Sequence, residues 1–307
     1  MISIIVCSKR KDSFNSLADN IADTIFTEYE IVHIDNSENK HSIFSAYNEG
    51  VARSKYPYLC FIHDDVFFHS KNWGEKIIKH LQQPNVGICG LAGRDFVPRV
   101  PASWKVNLPS VNIIQSDKTG KKHSKTRFKP KGFKLERRPV ILLDGVLLCM
   151  KRELMDRIKF DEKLNGFHGY DFDICIQSTV QGYENYVMYD IVLEHFSRGN
   201  PDASYYRNLI NIFKKWNQYL PLIKKNASVS ETVRIQKIEK KGLSRLLEKL
   251  VRRGFSTNEI ISIISYFANQ IDLKNKKLRI KTIRLEVLTM KFLNFPIYKF
   301  KKQKHEV

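Results

Sequence analysis

Short apolar runs alternate with segments of helical spacing through the first ninety residues of the chain. Each run is rich in β-branched side chains and is short enough for a single strand. The runs are Ile2 to Val6, Ile31 to Ile34, Tyr58 to Ile62 and Val86 to Cys89, with helical spacing at 14–25 and 43–52. Strands that alternate with helices pair in parallel through right-handed crossovers. The pattern therefore predicts an α/β fold with a mostly parallel sheet flanked by helices.

The third of these strands ends abruptly in His63, Asp64 and Asp65. Open α/β sheets bind ligands at the carboxyl ends of their strands. Two adjacent carboxylates repel each other unless a cation or hydrogen-bond donors neutralise them. A hard divalent ion, Mg²⁺ or Mn²⁺, would do this and leave positions for phosphate oxygens. The alternative interpretation is a surface turn after a strand, where Asp is common.

The turn after the first strand, Cys7 to Arg10, contains no glycine. Both a dinucleotide-binding fingerprint and a P-loop are therefore missing at this position. If the chain binds a nucleoside diphosphate, a metal held by carboxylates must replace the glycine-rich loop. This requirement strengthens the case for Asp64 and Asp65.

Polar side chains recur where other predicted strands or turns end. Asp35 and Asn36 follow the second strand, Asp144 ends a later one, Asp171 begins a helix, and His195 closes the last strand. Because these polar residues all follow the ends of predicted strands or turns, we expect them to line a single polar crevice. Ordinary structural roles remain open, since Asp35 suits a helix cap or turn and His195 suits a simple hydrogen bond.

Residues 94–139 interrupt the alternation. They contain five prolines and few apolar runs, and Lys121 to Arg138 holds nine Lys and Arg against one Glu. This composition predicts a long loop or insertion over the carboxyl edge of the sheet. Further strands are predicted at Val140 to Leu143 and Tyr186 to Leu193, and helices at Asp171 to Gln181 and Asn200 to Leu220, while Val146 to Met150 is an apolar segment.

The net charge of +20 is concentrated near the end of the chain. From Lys224 onward, 21 Lys and Arg face 7 Asp and Glu, against 31 and 25 in the first 223 residues. We predict an α/β domain at 1–223, with 94–139 inserted, and a basic helical region at 224–307. Such a region suits an anionic partner. The apolar and basic residues at 282–298 are compatible with packing on the first domain and with docking on an anionic membrane surface or a partner, and both interpretations stay open.

The five cysteines lie mostly within apolar runs and form no CxxC pair, which is typical of buried thiols in a reducing compartment. Met1 to Val6 is too short for a signal-peptide core, and no run of about 18 apolar residues is present. We expect a cytoplasmic protein, peripheral at the inner membrane face if the basic region binds lipid.

The ordered set of motifs resembles the nucleotide-sugar half of family-2 glycosyltransferases with the GT-A fold. The similarity is greatest to the bacterial branch associated with capsule and surface polysaccharide synthesis, and it spans about residues 2 to 200. It is carried by Ile-Asp-Asn-Ser at 34–37, Ala-Tyr-Asn-Glu-Gly at 46–50, Phe-Ile-His-Asp-Asp-Val at 61–66, Leu-Asp-Gly-Val at 143–146, Gly-Tyr-Asp-Phe-Asp at 169–173 and Leu-Glu-His-Phe at 193–196.

The resemblance implies a role for each matched residue. Asp65 and His195 would bind Mn²⁺ or Mg²⁺. Asp171 would be the catalytic base of an inverting enzyme, and Asp144 and Gly145 would border the acceptor. The donor pocket would be lined by Ser8, Asp35, Asn36, Asn48, His63 and Asp64. His63 departs from the aspartate that is usual at this place in the family.

The resemblance further implies metal-dependent transfer from a UDP-sugar to a glycan or lipid-linked acceptor, with 94–139 near the acceptor side. Two alternatives stay open. A nucleotidyltransferase on a similar sheet is expected to carry a glycine-rich phosphate loop, which Cys7 to Arg10 lacks. A nucleic-acid-binding protein is compatible with the charge, but the basic runs lack interleaved aromatics for stacking, so nucleic acid is not an expected partner.

Overall fold

The computed structural model describes residues 1–102, 110–117, 122–128, 136–197, 201–223, 229–271 and 289. These residues form two compact units. The first lies within 1–97, 104–200 and 222–224, and the second within 98–103, 201–221 and 225–307. Residues 201–221 are thus in the second unit, whereas the sequence analysis places them with the α/β domain. The apolar and basic segment at 282–298 lies outside the described residues, apart from residue 289.

Strands and helices largely alternate in the first ninety residues, and the described residues between 86 and 151 contain a succession of eight strands. The strands are β1 (Ile2–Ser8), β2 (Tyr29–Asp35), β3 (Tyr58–Ile62), β4 (Val66–Phe68), β5 (Val86–Gly90), β6 (Ala92–Arg94), β7 (Phe96–Val97), β8 (Ser110–Ser116), β9 (Lys122–Phe128), β10 (Arg137–Val140), β11 (Leu142–Leu143), β12 (Leu147–Lys151), β13 (Glu184–Met188), β14 (Leu193–His195) and β15 (Leu222–Ile223). The helices are α1 (Lys11–Thr24), α2 (Ile43–Arg53), α3 (Trp73–Leu81), α4 (Arg152–Met155), α5 (Tyr170–Val180), α6 (Ala203–Lys215), α7 (Val229–Arg252) and α8 (Thr257–Gln270), with a 3₁₀ turn at Asn217–Tyr219.

A seven-stranded sheet forms the centre of the first unit, in the order β10-β13-β5-β12-β3-β1-β2. Strands β1, β2, β3, β5 and β13 run in one direction, and β10 and β12 run in the other. The predicted α/β fold with a mostly parallel sheet is therefore confirmed. The sequence analysis did not predict that β12 would be antiparallel in the middle of it.

Side chains of β1 alternate between the two faces of this sheet, and helices cover both. Ile4 and Val6 lie in one buried core with Leu17 of α1. Ile5 faces α2, where a Cβ added at Gly50 would come within 2.3 Å of its Cγ2. The missing side chain at Gly50 therefore allows α2 to approach the sheet closely.

A second sheet contains β11, β6, β8, β14 and β4 in that order, and β9 pairs with β8. Strands β8 and β9 lie in the region 94–139, so its described part is largely strand instead of the predicted loop. Strand β8 was not predicted because several of its buried side chains are polar. Asn112, for example, is buried and its amide donates to the carbonyls of Met188 (3.2 Å) and Ile191 (2.6 Å).

The run predicted as one strand from Tyr186 to Leu193 is divided between the two sheets. β13 ends at Met188 in the central sheet, and β14 begins at Leu193 in the second. Between them Asp190 pairs with Nε2 of His80 at 2.9 Å, which holds the turn in place. This turn carries His195 across to β4, the strand that directly follows His63, Asp64 and Asp65.

The second unit is helical in its described residues. Asp202 caps α6 by accepting from the Tyr205 amide (3.0 Å), and Arg207 joins α6 to Glu259 of α8 (2.9 Å). Glu239 of α7 is buried and pairs with Arg99. No helix in the described part of the chain combines the length and apolar content needed to cross a bilayer.

Candidate active site

The carboxyl ends of β1, β2 and β3 meet at one edge of the central sheet. Ser8 at the end of β1 stands beside Asp35 at the end of β2, and β3 is paired to the other side of β1. Strand β12 starts at the same edge, because its Leu147 is paired with Ile62. The segments that end or begin here carry most of the polar residues singled out in the sequence.

Three side chains at this edge could hold a metal ion. Each of His63, Asp65 and His195 offers one ligand atom, and these atoms lie within 4.8 Å of one another. Oδ1 of Asp65 is 3.4 Å from Nε2 of His195 and 3.9 Å from Nδ1 of His63. Two imidazoles and one carboxylate on one side of a site leave room for ligands from a substrate.

The pairing of β14 with β4 brings the third ligand into place. His195 stands opposite Val66 in this antiparallel pair, and the amide of Phe196 donates to the carbonyl of Asp65 at 3.0 Å. The backbone therefore fixes the distance between Asp65 and His195. Asp65 and His195 were predicted as ligands, whereas His63 was predicted to face the donor.

The electrostatics keep Asp65 ionised. Burial alone would raise the pKa of its carboxyl, but the neighbouring His195, Ser197 and His63 lower it below its usual range. Burial and repulsion by His195 lower the pKa of His63. Neutral imidazole and ionised carboxylate are the forms that bind metals.

The neighbouring Asp64 has a different environment. Burial and the charge of Asp65 raise the pKa of the Asp64 carboxyl, and Arg10 acts against this rise. Its charge also acts on Cys7, which lies near the end of β1. Asp64 therefore faces the β1 end of the edge, on the side where the donor pocket was predicted.

Tyr170 orients His63. Its hydroxyl lies 2.7 Å from Nε2 of His63 and donates to the carbonyl of Gly145 at 3.0 Å. Because the hydroxyl proton is used on Gly145, the hydroxyl accepts from Nε2–H, which leaves Nδ1 of His63 unprotonated and facing Asp65. The sequence analysis missed Tyr170, although it directly precedes Asp171.

Gly145 is required by this arrangement. A Cβ at this position would lie 2.0 Å from the Tyr170 hydroxyl oxygen and 2.4 Å from its Cζ. Any larger residue would displace the tyrosine ring. The sequence analysis assigned Gly145 to the acceptor side, and the structure adds this packing requirement.

Asp171 is buried in the first turn of α5. Burial and the charge of Asp144 raise the pKa of its carboxyl to about 8, although backbone donors at Phe172, Asp171 and Gly145 act in the opposite direction. The Asp144 charge also acts on His63. The charge of Asp144 thus reaches both His63 and Asp171, and Tyr170, which directly precedes Asp171, contacts His63 at the same edge of the sheet.

The remaining predicted donor residues have well-defined structural partners. Ser8 is hydrogen-bonded to His33 at 2.9 Å, and Asp35 accepts from the Ser37 amide at 2.9 Å. Asn36 is fully buried, and both ends of its amide bind the backbone of His41.

Asn48 binds a different segment of the first unit, at Phe160 and Glu162. Its amide binds the backbone of Phe160 through both polar atoms and also donates to Glu162 at 2.7 Å. These contacts join α2 to the segment that precedes α5. Among the described contacts, none brings Asn48 to His63, Asp65 or His195.

Comparisons with known proteins identify the family of the chain. Residues 3–199 match the sequence model of the "Glycosyltransferase like family". A curated relative from Fuscovulum blasticum, named "ATP synthase subunits region ORF 6", is 26% identical over 225 residues, which cover 70% of this chain and 84% of the relative.

Solved structures share the architecture at low identity. S. aureus TarS aligns with a TM-score of 0.51 and 13% identity, over 94% of this chain and 54% of TarS. GalNAc-T7, solved with UDP, GalNAc and Mn²⁺, aligns with a TM-score of 0.49 and 11% identity, over 77% of this chain and 54% of that protein. The chain spans about half the length of these two proteins. Because the family match covers more than half of its residues, the chain belongs to the glycosyltransferase-like family and has the GT-A fold.

Proposed function

We propose that the protein is a metal-dependent, inverting glycosyltransferase that moves a sugar from a UDP-sugar to a glycan or lipid-linked acceptor in bacterial surface polysaccharide synthesis. The observation that carries the proposal is the meeting of His63, Asp65 and His195 at the sheet edge that also holds Asp171. The family match supports sugar transfer, and the sheet edge supplies the groups that such a transfer needs.

The metal would be held by His63, Asp65 and His195, which fit it in number, spacing and donor type. When bound, a divalent ion supplies Lewis-acid stabilisation of the departing diphosphate. Imidazole is a poor ligand for Mg²⁺, which prefers oxygen, and a better one for first-row transition ions. We therefore expect Mn²⁺ to be preferred over Mg²⁺.

Asp171 would accept the proton of the acceptor hydroxyl as the new glycosidic bond forms. A positioned base of this kind contributes roughly 10²–10⁴-fold to the rate. Its raised pKa, about 8, makes it a stronger base than an ordinary carboxylate once it is ionised. Inversion is proposed because Asp171 is assigned as base and no second carboxylate is assigned as nucleophile.

The donor would lie along the carboxyl ends of β1, β2 and β3. We assign Ser8, Asp35, Asn36 and Asp64 to the nucleoside side, with Asn36 acting through the loop that it fastens at His41. Asn48 acts only indirectly in this proposal, by holding the segment at Phe160. Asp144 and Gly145 lie at the start of β12, next to Asp171, where the acceptor would approach.

The second unit offers a surface for an anionic membrane. One face of α7 carries exposed basic residues three or four positions apart, which places them on the same side of the helix. They are Arg234, Lys237, Lys241, Arg245, Lys249 and Arg252. Each basic residue near an anionic bilayer contributes about 1 kcal/mol. We propose that this basic face holds the enzyme at the inner face of the cytoplasmic membrane, beside a lipid-linked acceptor.

A thermal-shift panel tests the proposed donor class. UDP-, GDP- and dTDP-sugars are each added with Mn²⁺, with Mg²⁺ and with EDTA, because a ligand that binds the native state raises its melting temperature. We expect the largest rise with a UDP-sugar and Mn²⁺, and none with the same sugar in EDTA. Stabilisation by a different nucleotide would change the donor assignment, and no stabilisation by any pair would contradict the proposal.

A further inference from the structure

The side chain of Gln115 contacts both the backbone carbonyl and the imidazole of the metal-capable His195. Gln115 lies on β8, directly opposite His195 on β14 in their parallel pairing. Its amide nitrogen donates to the carbonyls of His195 (2.9 Å) and Ser197 (2.6 Å), and more weakly to that of Ser116 (3.3 Å). Its amide oxygen lies 3.4 Å from Nδ1 of His195.

These contacts fix the orientation of the Gln115 amide. If the amide were turned over, its oxygen would face two carbonyl oxygens, which is unfavourable. The amide oxygen is therefore the group that faces Nδ1 of His195. An oxygen can only accept, so it favours the form of His195 with a proton on Nδ1.

This form leaves Nε2 of His195 available on the side of Asp65. Nε2 lies 3.4 Å from Oδ1 of Asp65 and 3.2 Å from the Ser197 hydroxyl. Histidines that bind a metal through one nitrogen donate the other N–H to an oxygen, and loss of that oxygen typically weakens metal binding about 10–100-fold. Tyr170 stands in the same relation to His63.

We propose that Gln115 is a positioning residue that holds His195 in the orientation and protonation form required to bind the metal ion. The inference rests on the proposed function, since it presumes that His195 is a ligand. It assigns a role in the active site to the region 94–139.

The test compares Gln115→Met with a matched variant on the same strand, Asn112→Leu. Asn112 also bridges two backbone carbonyls with its amide, at Met188 and Ile191, but belongs to no described contact with His195. Affinity for Mn²⁺ in the presence of UDP is measured from the electron paramagnetic resonance signal of free Mn²⁺. We expect Gln115→Met to bind Mn²⁺ about 10–100-fold more weakly and Asn112→Leu to bind it as the wild type does, although both variants melt at lower temperatures.

A second measurement guards against misfolding of Gln115→Met. The ¹⁵N chemical shifts of the His195 imidazole, recorded without metal, report which ring nitrogen carries the proton, and we expect Nδ1–H in the wild type and in Asn112→Leu and its loss in Gln115→Met. Equal affinities of Gln115→Met and the wild type would overturn the inference while leaving the metal site intact. So would a wild-type His195 with its proton on Nε2. A wild-type protein that binds no Mn²⁺ with UDP would overturn the proposed function as well.

Discussion

Nε2 of His195 lies 3.4 Å from Oδ1 of Asp65, although the two residues are far apart in the sequence. The contact exists because β14 leaves the central sheet and pairs with β4, directly after Asp65. A carboxylate and an imidazole at this distance form a simple ion pair when the imidazole is protonated, and they become two ligands when a divalent ion is present. Dependence of UDP binding on Mn²⁺ and on Asp65 distinguishes these two roles.

Replacement of Asp171 by Asn is expected to abolish turnover while preserving donor binding. The amide has the same shape but cannot take the proton of the acceptor hydroxyl, so the rate should fall by roughly 10²–10⁴-fold. UDP release from the donor in the presence of acceptor measures turnover, and calorimetry measures donor binding. Asp173→Asn is the matched control, because Asp173 is buried in the same helical turn and binds Gln177 at 2.8 Å. Full turnover by Asp171→Asn would remove Asp171 as the base.

The pH dependence of turnover should follow the ionisation of Asp171. The pKa of this carboxyl is raised to about 8, and only the ionised form can act as a base. We expect kcat/KM to increase with pH up to a midpoint at or below about 8, because a bound cation nearby would lower this pKa. A profile that is flat from pH 5 to 9 would contradict the assignment.

The same ionisation should be visible in stability without metal. The folded pKa of Asp171, about 8, exceeds the ordinary value of 3.8, so the folded state holds a proton that the unfolded state has lost between these pH values. Wild-type stability should therefore fall relative to Asp171→Asn as pH rises from about 4 to 8, by at most about 1.4 kcal/mol per pH unit. Urea unfolding in EDTA at several pH values measures the difference. A stability difference between the wild type and Asp171→Asn that does not change with pH would show that the pKa of Asp171 is not raised.

Tyr170→Phe is expected to weaken Mn²⁺ binding by about 10-fold, since the lost hydroxyl orients His63. That hydroxyl contacts Nε2 of His63 at 2.7 Å and Gly145 at 3.0 Å. Tyr56→Phe is the control, because its hydroxyl donates to Glu28 on the surface. Equal Mn²⁺ affinities in the Tyr170 and Tyr56 variants would show that Tyr170 does not support a metal ligand.

Removal of three charges from α7 should weaken binding to anionic vesicles. The triple change Lys237→Gln, Lys241→Gln and Arg245→Gln costs about 3 kcal/mol of attraction, roughly 100-fold in partitioning. Co-sedimentation with vesicles of phosphatidylglycerol and phosphatidylcholine measures this. The control removes the same charge at Lys11, Lys40 and Lys55, which are exposed in the first unit. An equal loss in both triple variants, or no binding by the wild type, would contradict docking through α7.

Local patterns were enough to predict the parallel strands of the central sheet, although not the antiparallel β12 in its middle. The strand β3, its direction and the position of Asp65 at the ligand-binding edge could be predicted. The prediction rests on the apolar run and on the acidic residues that follow it. Parallel pairing of β1, β2 and β3 follows from the alternation of strands and helices alone. His195 stood out because it closes the last predicted strand, and the family resemblance added its role as a metal ligand.

Other parts of the site depend on contacts that no local pattern records. β8 was missed because its buried positions include Asn112 and Ser116, whose polar groups are satisfied only by other strands. Gln115 was missed with it. Tyr170 belongs to a quoted motif, but its function depends on His63, which comes from a different strand. From the sequence alone, a polar residue is assigned to the surface, because the hydrogen-bond partner that would allow its burial is not known.

The central claim is that His63, Asp65 and His195 hold a metal ion that binds the donor. The most direct test is calorimetry of UDP binding to the wild type and to Asp65→Ala, each with Mn²⁺ and with EDTA. Glu30→Ala is the control, because Glu30 accepts hydrogen bonds from Ser3 and Lys55 at the opposite end of the central sheet. We predict that the wild type and Glu30→Ala bind UDP only with Mn²⁺, and that Asp65→Ala does not bind it in either buffer. Mn²⁺-dependent UDP binding by Asp65→Ala that equals the wild type would contradict the claim.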